Sequence, residues 1–273
     1  MTQLAEAIAT FAGSFSGELG VAAKNLTTGE EFGFHAQTIF HPASTIKLPV
    51  LVEVYRQLVA GSLSLDDTLP LDPELAVPDG GVMDGFTPGY RYPVRDLAHL
   101  MITLSDNTAT NLLIKRVGVR NVNDMLNAYG MNNTRLHRYI GIPGGNLPLG
   151  QTTPQDMIRL LELLVTEQIL TPAACQAILN TMSHQLYHHL TTRYLDEWDE
   201  ELPPERVRVR IAAKSGWNRR DRHDVAALWA PRATYVLAMY SRRCADDSFK
   251  LDNEAALLLP KVSLAVYDAW GRA

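Results

Sequence analysis

The sequence predicts an α+β fold: an antiparallel sheet drawn from both chain ends and flanked by helices, with an all-α subdomain inserted between them. Three observations predict it. Strand-like segments are confined to residues 18–36 and to the stretch after 205, apolar residues at helical spacing fill the middle, and no repeat or linker marks independent domains. The 273 residues are therefore read as one domain, with an α/β subdomain at 1–47 plus 184–273 and an all-α subdomain at 48–183.

The elements follow in order. An opening helix is expected over 2–12, then a β-hairpin from 18–25 and 30–36 around the turn Leu26-Thr27-Thr28-Gly29. From Ser44 to Ala60, Ile46, Val50, Leu51, Val54 and Leu58 recur at helical spacing, with Pro42 ahead of the run and Gly61 behind it. Further helices are expected at 94–104, 107–116, 121–129, 154–168 and 172–182. Pro/Gly-rich connectors fall at 70–93, 141–154 and 202–204. Residues 207–214, 224–230 and 234–241 read as strands, and an amphipathic helix within 249–270 closes the chain.

Composition narrows the function. With 46% hydrophobic and 20% charged residues the chain is an ordinary globular one, which excludes collagen-like and disordered classes. The formal charge of −5 and the scattered Lys and Arg argue against nucleic acid as a partner. No window approaches the roughly 20 apolar residues that a membrane span requires. The N-terminus shows neither a basic n-region nor a long apolar h-region, so the chain as written is expected to be cytoplasmic, or periplasmic or secreted if a leader was trimmed. Cys175 and Cys244 form no metal-type pair and are read as buried free thiols. No motif calls for a cofactor or a metal.

Three short motifs carry chemistry: Ser44-Thr45-Ile46-Lys47, Ser105-Asp106-Asn107 and Lys214-Ser215-Gly216. A serine hydroxyl is a weak nucleophile until a base takes its proton. Ser44 and Lys47 lie three apart at an expected helix start, so they share one face. Lys47 can serve as the base if burial and cationic neighbours lower its pKa. The helix N-terminus also sets backbone N–H groups and a positive dipole end beside a reacting carbonyl. Singly, each motif has a plain structural explanation: a helix start, a cap, a strand entering a turn. The set, in this order, points to acyl transfer.

SxxK, SDN and a Lys-Ser/Thr-Gly strand are the motif set of class A β-lactamases and penicillin-binding proteins. The segments HPASTIKLPVLVEVY, VRDLAHLMITLSDNTATNLLIKRVG, TTPQDMIRLLELL and KSGWNRRDRHDVAALWAP resemble that family over most of residues 20–265. The resemblance implies Ser44 as nucleophile, Lys47 as its proton acceptor, and Ser105, helped by Lys214, as the shuttle to the leaving nitrogen. It implies Asn107 for the substrate's amide side chain, and Lys214 and Ser215 for its carboxylate. Gly216 would permit close approach of the strand, and the N–H groups of Ser44 and Trp217 would form the oxyanion hole. The expected partner is a small molecule bearing a carboxylate: a β-lactam, peptide or ester.

The chain departs from the family at one decisive place. Class A enzymes carry a Glu in a loop reading like Leu-x-Arg-Trp-Glu, and that Glu activates the water for deacylation. Here Leu136-His137-Arg138-Tyr139-Ile140 puts Ile140 at that position, and no Asp or Glu occurs from Met125 to Gln155. The loop is shortened, and Gln151 stands where an Asp normally pairs with the loop Arg. Three readings follow: a penicillin-binding or sensor-type relative that acylates without turnover, an esterase or peptidase of the same fold, or a weak lactamase that activates water differently. A relic of the fold with an interaction role is disfavoured by the intact motifs.

Other signals are weaker. His184, His188 and His189 place HxxxH on an expected polar surface helix, without the glutamate or third ligand that zinc would require. His137 and His41 lie nearer the expected site, and His137 is the candidate replacement base. Among Arg219, Arg220 and Arg222, Arg222 is the one expected to face the substrate carboxylate. The acidic run 196–201 reads as a solvated loop.

Overall fold

The computed structural model describes residues 2–142, 147–196, 198 and 208–273. In chain order the elements are α1 (Thr2–Ser14), β1 (Glu18–Asn25), β2 (Glu31–Phe34), α2 (Lys47–Val59), β3 (Thr68–Pro70), β4 (Arg91–Pro93), α3 (Val94–Thr103), α4 (Asn107–Val117) and α5 (Val119–Ala128). Then follow β5 (Arg135–Leu136), β6 (Gly150–Gln151), α6 (Pro154–Val165), α7 (Pro172–Ser183), α8 (His189–Thr192), β7 (Arg210–Trp217), β8 (Arg222–Trp229), β9 (Thr234–Arg242) and α9 (Glu254–Trp270). Five strands from the two chain ends make one antiparallel sheet in the order β2-β1-β9-β8-β7. The α+β architecture expected from the sequence is the one found.

Local chemistry sets the element ends. Asn25 Oδ1 accepts from the N–H groups of Thr27 and Thr28, and Gly29 takes φ +81°, which closes the hairpin turn. Thr153 and Thr171 cap α6 and α7, each followed by Pro at the first helical position, where its missing N–H costs nothing. Gly118, at φ +90°, ends α4 and opens α5.

The central strands β1, β9 and β8 bury both faces, so the sheet separates two cores. On one side Ala22, Val225, Val236, Ala238 and Tyr240 continue into the apolar faces of α2 to α7. On the other, Val21, Ala213, Ala226, Leu237 and Met239 pack with α1, α8 and α9. α2 is buried along almost its whole length. Its Glu53 is fully buried and is satisfied by Arg56 Nε at 2.6 Å and Gln57 Nε2 at 2.8 Å.

Several expectations need correcting. The helix expected from Ser44 begins at Lys47, because Ala43–Ile46 form a 3-10 turn. The strand expected at 207–214 runs over Arg210–Trp217, and Val207, like the connector at 202–204, lies outside the described residues. The final helix starts at Glu254, where Asn253 caps it. The histidine stretch is not one helix: α7 stops at Ser183, and α8 begins only at His189. Among the described residues no group of three His, Cys, Asp or Glu is placed to hold a metal. The connectors also carry two short ladders, β3–β4 and β5–β6. Of the run 196–201, only Asp196 and Trp198 are described. Cys175 and Cys244 are both buried free thiols. No helix among the described residues is long and apolar enough to cross a membrane.

Candidate active site

The 3-10 turn that carries Ser44 is fastened to the sheet by its neighbour. Thr45 Oγ1 lies 2.6 Å from the Pro42 carbonyl and 2.8 Å from the hydroxyl of Tyr240 on β9. Ala43, just before Ser44, takes φ +44°, a conformation few non-glycine residues adopt. Strand β7 passes directly over this turn. A Cβ built on Gly216 would lie 2.7 Å from Ser44 N and 2.9 Å from Thr45 N, so only a glycine lets the two backbones approach. Ser44 is half-buried.

One turn on, Lys47 is fully buried. Its Nζ donates to Ser105 O at 2.5 Å, Asn107 Oδ1 at 2.6 Å and Ser105 Oγ at 3.2 Å. Burial, and then the charge of Lys214, hold the Lys47 pKa well below the ordinary lysine value, against a smaller opposing pull from Asp106. Ser105 reaches this position at φ +57°. Asp106 fixes it there: one carboxylate oxygen caps α4 through Ala109 N at 2.7 Å, and the other accepts from Met83 N at 2.9 Å. The cap and the motif are therefore the same residue doing both jobs.

From the opposite side Lys214 Nζ reaches Ser105 Oγ at 3.1 Å, so both lysines donate to one hydroxyl. Lys214 is fully buried, and burial lowers its pKa to about 7 while Asp224 pulls the other way. Sequence reasoning missed Gln185, which lies in the connector after α7 and is 3% exposed. Its Oε1 accepts from Ser215 N at 2.8 Å, Ser215 Oγ at 3.2 Å and Lys214 Nζ at 3.2 Å. Asn111, also missed, is fully buried one turn into α4 from the Ser105–Asn107 motif. It accepts from Ile140 N at 2.8 Å and donates to Ile140 O at 2.9 Å. The backbone of Ile140 is thus clamped to the helix that opens with Asn107.

The loop beyond is closed without a carboxylate. Arg138 donates to the carbonyls of Leu147 at 2.8 Å, Ile142 at 2.8 Å and Tyr139 at 3.3 Å. Gln151 contacts Asn133 O at 3.3 Å. His137 is half-buried, and among the described residues its Nδ1 finds no hydrogen-bond partner. His41 Nδ1 accepts from Ala43 N at 3.0 Å, and burial keeps its pKa below the usual imidazole value.

Ser44, Lys47, Ser105, Asn107, Lys214, Ser215 and Gly216 therefore converge. Trp217 ends the same strand, edge-on to Tyr187 at 5.0 Å. Arg222 does not reach out as expected. It is 5% exposed, and its guanidinium donates to the carbonyls of Asn218, Asp221 and Ser248. It lies 5.5 Å from the Phe249 ring centre and lines a cavity of about 220 Å³ with Tyr187 and Trp217. Arg222 crosses from Trp217 at the first pair after the β7–β8 turn, and its side chain closes that turn. Arg219 and Arg220 are exposed.

The model of the Beta-lactamase enzyme family matches residues 3–270. The chain belongs to that family. This family member is 27% identical to a β-lactamase of Rhodobacter capsulatus over 186 residues, which cover 66% of this chain and 63% of that protein. It is 27% identical to β-lactamase L2 of Stenotrophomonas maltophilia over 243 residues, 82% of this chain and 73% of that one. Among solved structures, a β-lactamase from Sphaerobacter thermophilus superposes with a TM-score of 0.87 at 28% identity, covering 98% of this chain and 97% of that one. PBP-A superposes with a TM-score of 0.86 at 26% identity, covering 98% and 96%. A leucine-to-glutamate variant of PBP-A, solved as its acyl-enzyme with penicillin G, matches equally well.

Proposed function

We propose that this β-lactamase-family protein forms an acyl-enzyme at Ser44 from a β-lactam, or a related amide or ester bearing a carboxylate, and releases it slowly. A neutral Lys47 amine has two N–H groups and one lone pair. Loosening one of its three contacts turns the lone pair to Ser44, whose Oγ adds to the carbonyl as the proton passes to Lys47. The N–H groups of Ser44 and Trp217 receive the oxyanion. Ser105 Oγ, which accepts from both lysines, gives its own proton to the leaving nitrogen as the C–N bond breaks, and Lys47 restores it. Lys214 and Ser215 hold the carboxylate, and Asn107 the amide side chain.

The observation that carries slow release is the double clamp of Asn111 on Ile140. It supports an apolar side chain in the place where the family's loop offers a carboxylate. General-base catalysis contributes on the order of 10²–10⁴-fold, and deacylation here would lack it. Intact mass followed over time after mixing with penicillin G, beside the absorbance of a chromogenic cephalosporin, tests it. The expected result is an adduct that forms and persists while the cephalosporin is hydrolysed slowly. Rapid hydrolysis without a lasting adduct would overturn slow release, and the absence of both would overturn the lactam assignment.

A further inference from the structure

The donors assigned above to the substrate carboxylate are already taken by the protein itself. An ammonium has three N–H groups. Those of Lys214 go to Ser105 Oγ at 3.1 Å, Gln185 Oε1 at 3.2 Å and Ser215 O at 2.8 Å. The Ser215 hydroxyl has a single proton, and it is turned to Gln185 Oε1 at 3.2 Å. Ser215 N donates to the same oxygen at 2.8 Å. An oxygen ringed by an ammonium, a hydroxyl and a backbone N–H sits in the surroundings that suit a carboxylate oxygen. β7 is the edge strand of the sheet, and N–H groups alternate in direction along a strand, so Ser215 N and Trp217 N face the same free edge. Gln185 Oε1 therefore stands on the edge that would receive the substrate.

We propose that Gln185 is a specificity-determining residue: its Oε1 holds the seat of the substrate carboxylate, and a substrate that carries one must displace it. The proposal rests on Lys214 and Ser215 forming that seat, as proposed above. Their donors can turn to an arriving anion only by releasing Gln185, because the other Lys214 partners are the proton-carrying Ser105 and the strand's own carbonyl. Carboxylate-bearing substrates thus bind against a competitor built into the chain. Uncharged esters meet no such competition.

The other end of the amide separates this role from plain support. A flipped amide would set its NH₂ against Lys214, Ser215 N and Ser215 Oγ, so the orientation of Gln185 is forced. Its Nε2 is then buried without an acceptor among the described residues. Asn111, a supporting amide, uses both ends, on Ile140 N and Ile140 O. Gln185 uses one, and a buried donor left unpaired is costly, which weakens its hold on the seat. Its place in the chain suits release as well. It lies in the connector between α7 and α8, where Leu186 N donates to Thr103 O and the Leu186 side chain is exposed. Displacing the Gln185 side chain disturbs neither helix.

The test compares the full chain as wild type, Gln185→Ala and Gln185→Glu. Acylation by penicillin G and by a carboxylate-free activated ester is followed by intact mass. Gln185→Ala opens the seat, so the penicillin concentration giving half-maximal rate should fall by about tenfold, the scale of a hydrogen bond to a charged group. Gln185→Glu ties an anion into the seat, and that concentration should rise. The ester should keep its half-maximal concentration in both variants. If Gln185 only supported Lys214 and Ser215, both variants would acylate worse with penicillin. An unchanged or raised concentration in Gln185→Ala therefore overturns the proposal, as does an equal change for the ester. Phenylacetate, a carboxylate that cannot acylate, is titrated in parallel by ¹H–¹⁵N NMR. It should bind Gln185→Ala more tightly than wild type, and in wild type it should shift the Gln185 side-chain amide and the Ser215 backbone amide together. Binding that leaves the Gln185 amide unmoved, or no binding to either form, would also overturn the proposal. If penicillin does not acylate wild type at all, the functional reading fails, and the phenylacetate titration still decides the seat. If Gln185→Ala does not fold, Gln185→Glu and the wild-type titration decide it.

Discussion

Ser105 Oγ accepts from both lysines, at 3.2 and 3.1 Å, which leaves its own proton to be donated elsewhere. Ser44 is only half-buried, and among the described residues its hydroxyl makes no hydrogen bond. Ser44→Ala should therefore abolish covalent labelling by penicillin while leaving the thermal midpoint nearly unchanged. Labelling and melting curves on one preparation check both halves. Ile140 is the second informative residue. Because Asn111 holds its backbone rather than its side chain, Ile140→Glu leaves the clamp intact and offers a carboxylate to the acyl bond. Release of the penicilloyl adduct should accelerate, up to about 10²–10⁴-fold for full general-base catalysis. An unchanged rate would mean that the side chain points away from the ester.

At the scale of elements, β7 and the Ser44 turn are pressed together backbone to backbone. Gly216→Ala would push a methyl into Ser44 N and Thr45 N, neither of which can give way without moving the turn. We expect acylation to fall by at least tenfold, with the thermal midpoint lowered as well; normal labelling kinetics would show that the turn can shift. Elements also explain what could be read in advance. α2, α3, α4, α6 and α7 announce themselves by apolar spacing and end signals, and Ser44, Lys47, Ser105, Asn107 and Lys214 by short fixed spacings. The ladders β3–β4 and β5–β6 are two or three residues long, too short for any period to register. Gln185 and Asn111 carry no pattern of their own, since their roles arise from chain segments far apart in sequence. Arg222 was misread because the direction of a side chain after a turn depends on which carbonyls the turn leaves open.

At the scale of the whole molecule, the helical region and the sheet share one core. The cluster containing Leu51, Leu113 and Leu161 runs without interruption into Ala22, Val236 and Tyr240 of the sheet. We propose on that ground that the stretch 48–183 does not unfold separately, although the sequence marks it as a subdomain. Heat or denaturant should give one transition, coincident by near-ultraviolet and far-ultraviolet circular dichroism. Two separated transitions would show that the helical insert is an independent unit. The candidate site lies where these parts meet: α2 and α4 bring Lys47 and Asn107, and β7 brings Lys214.

Arg138 spans its loop by gripping three carbonyls. A guanidinium gripping a carboxylate lets go when acid neutralises the carboxylate, and salt weakens it. Carbonyls have no charge to lose. The grip of Arg138 is thus indifferent to acidity, and the backbone it holds should keep its shape between neutral and mildly acidic solution.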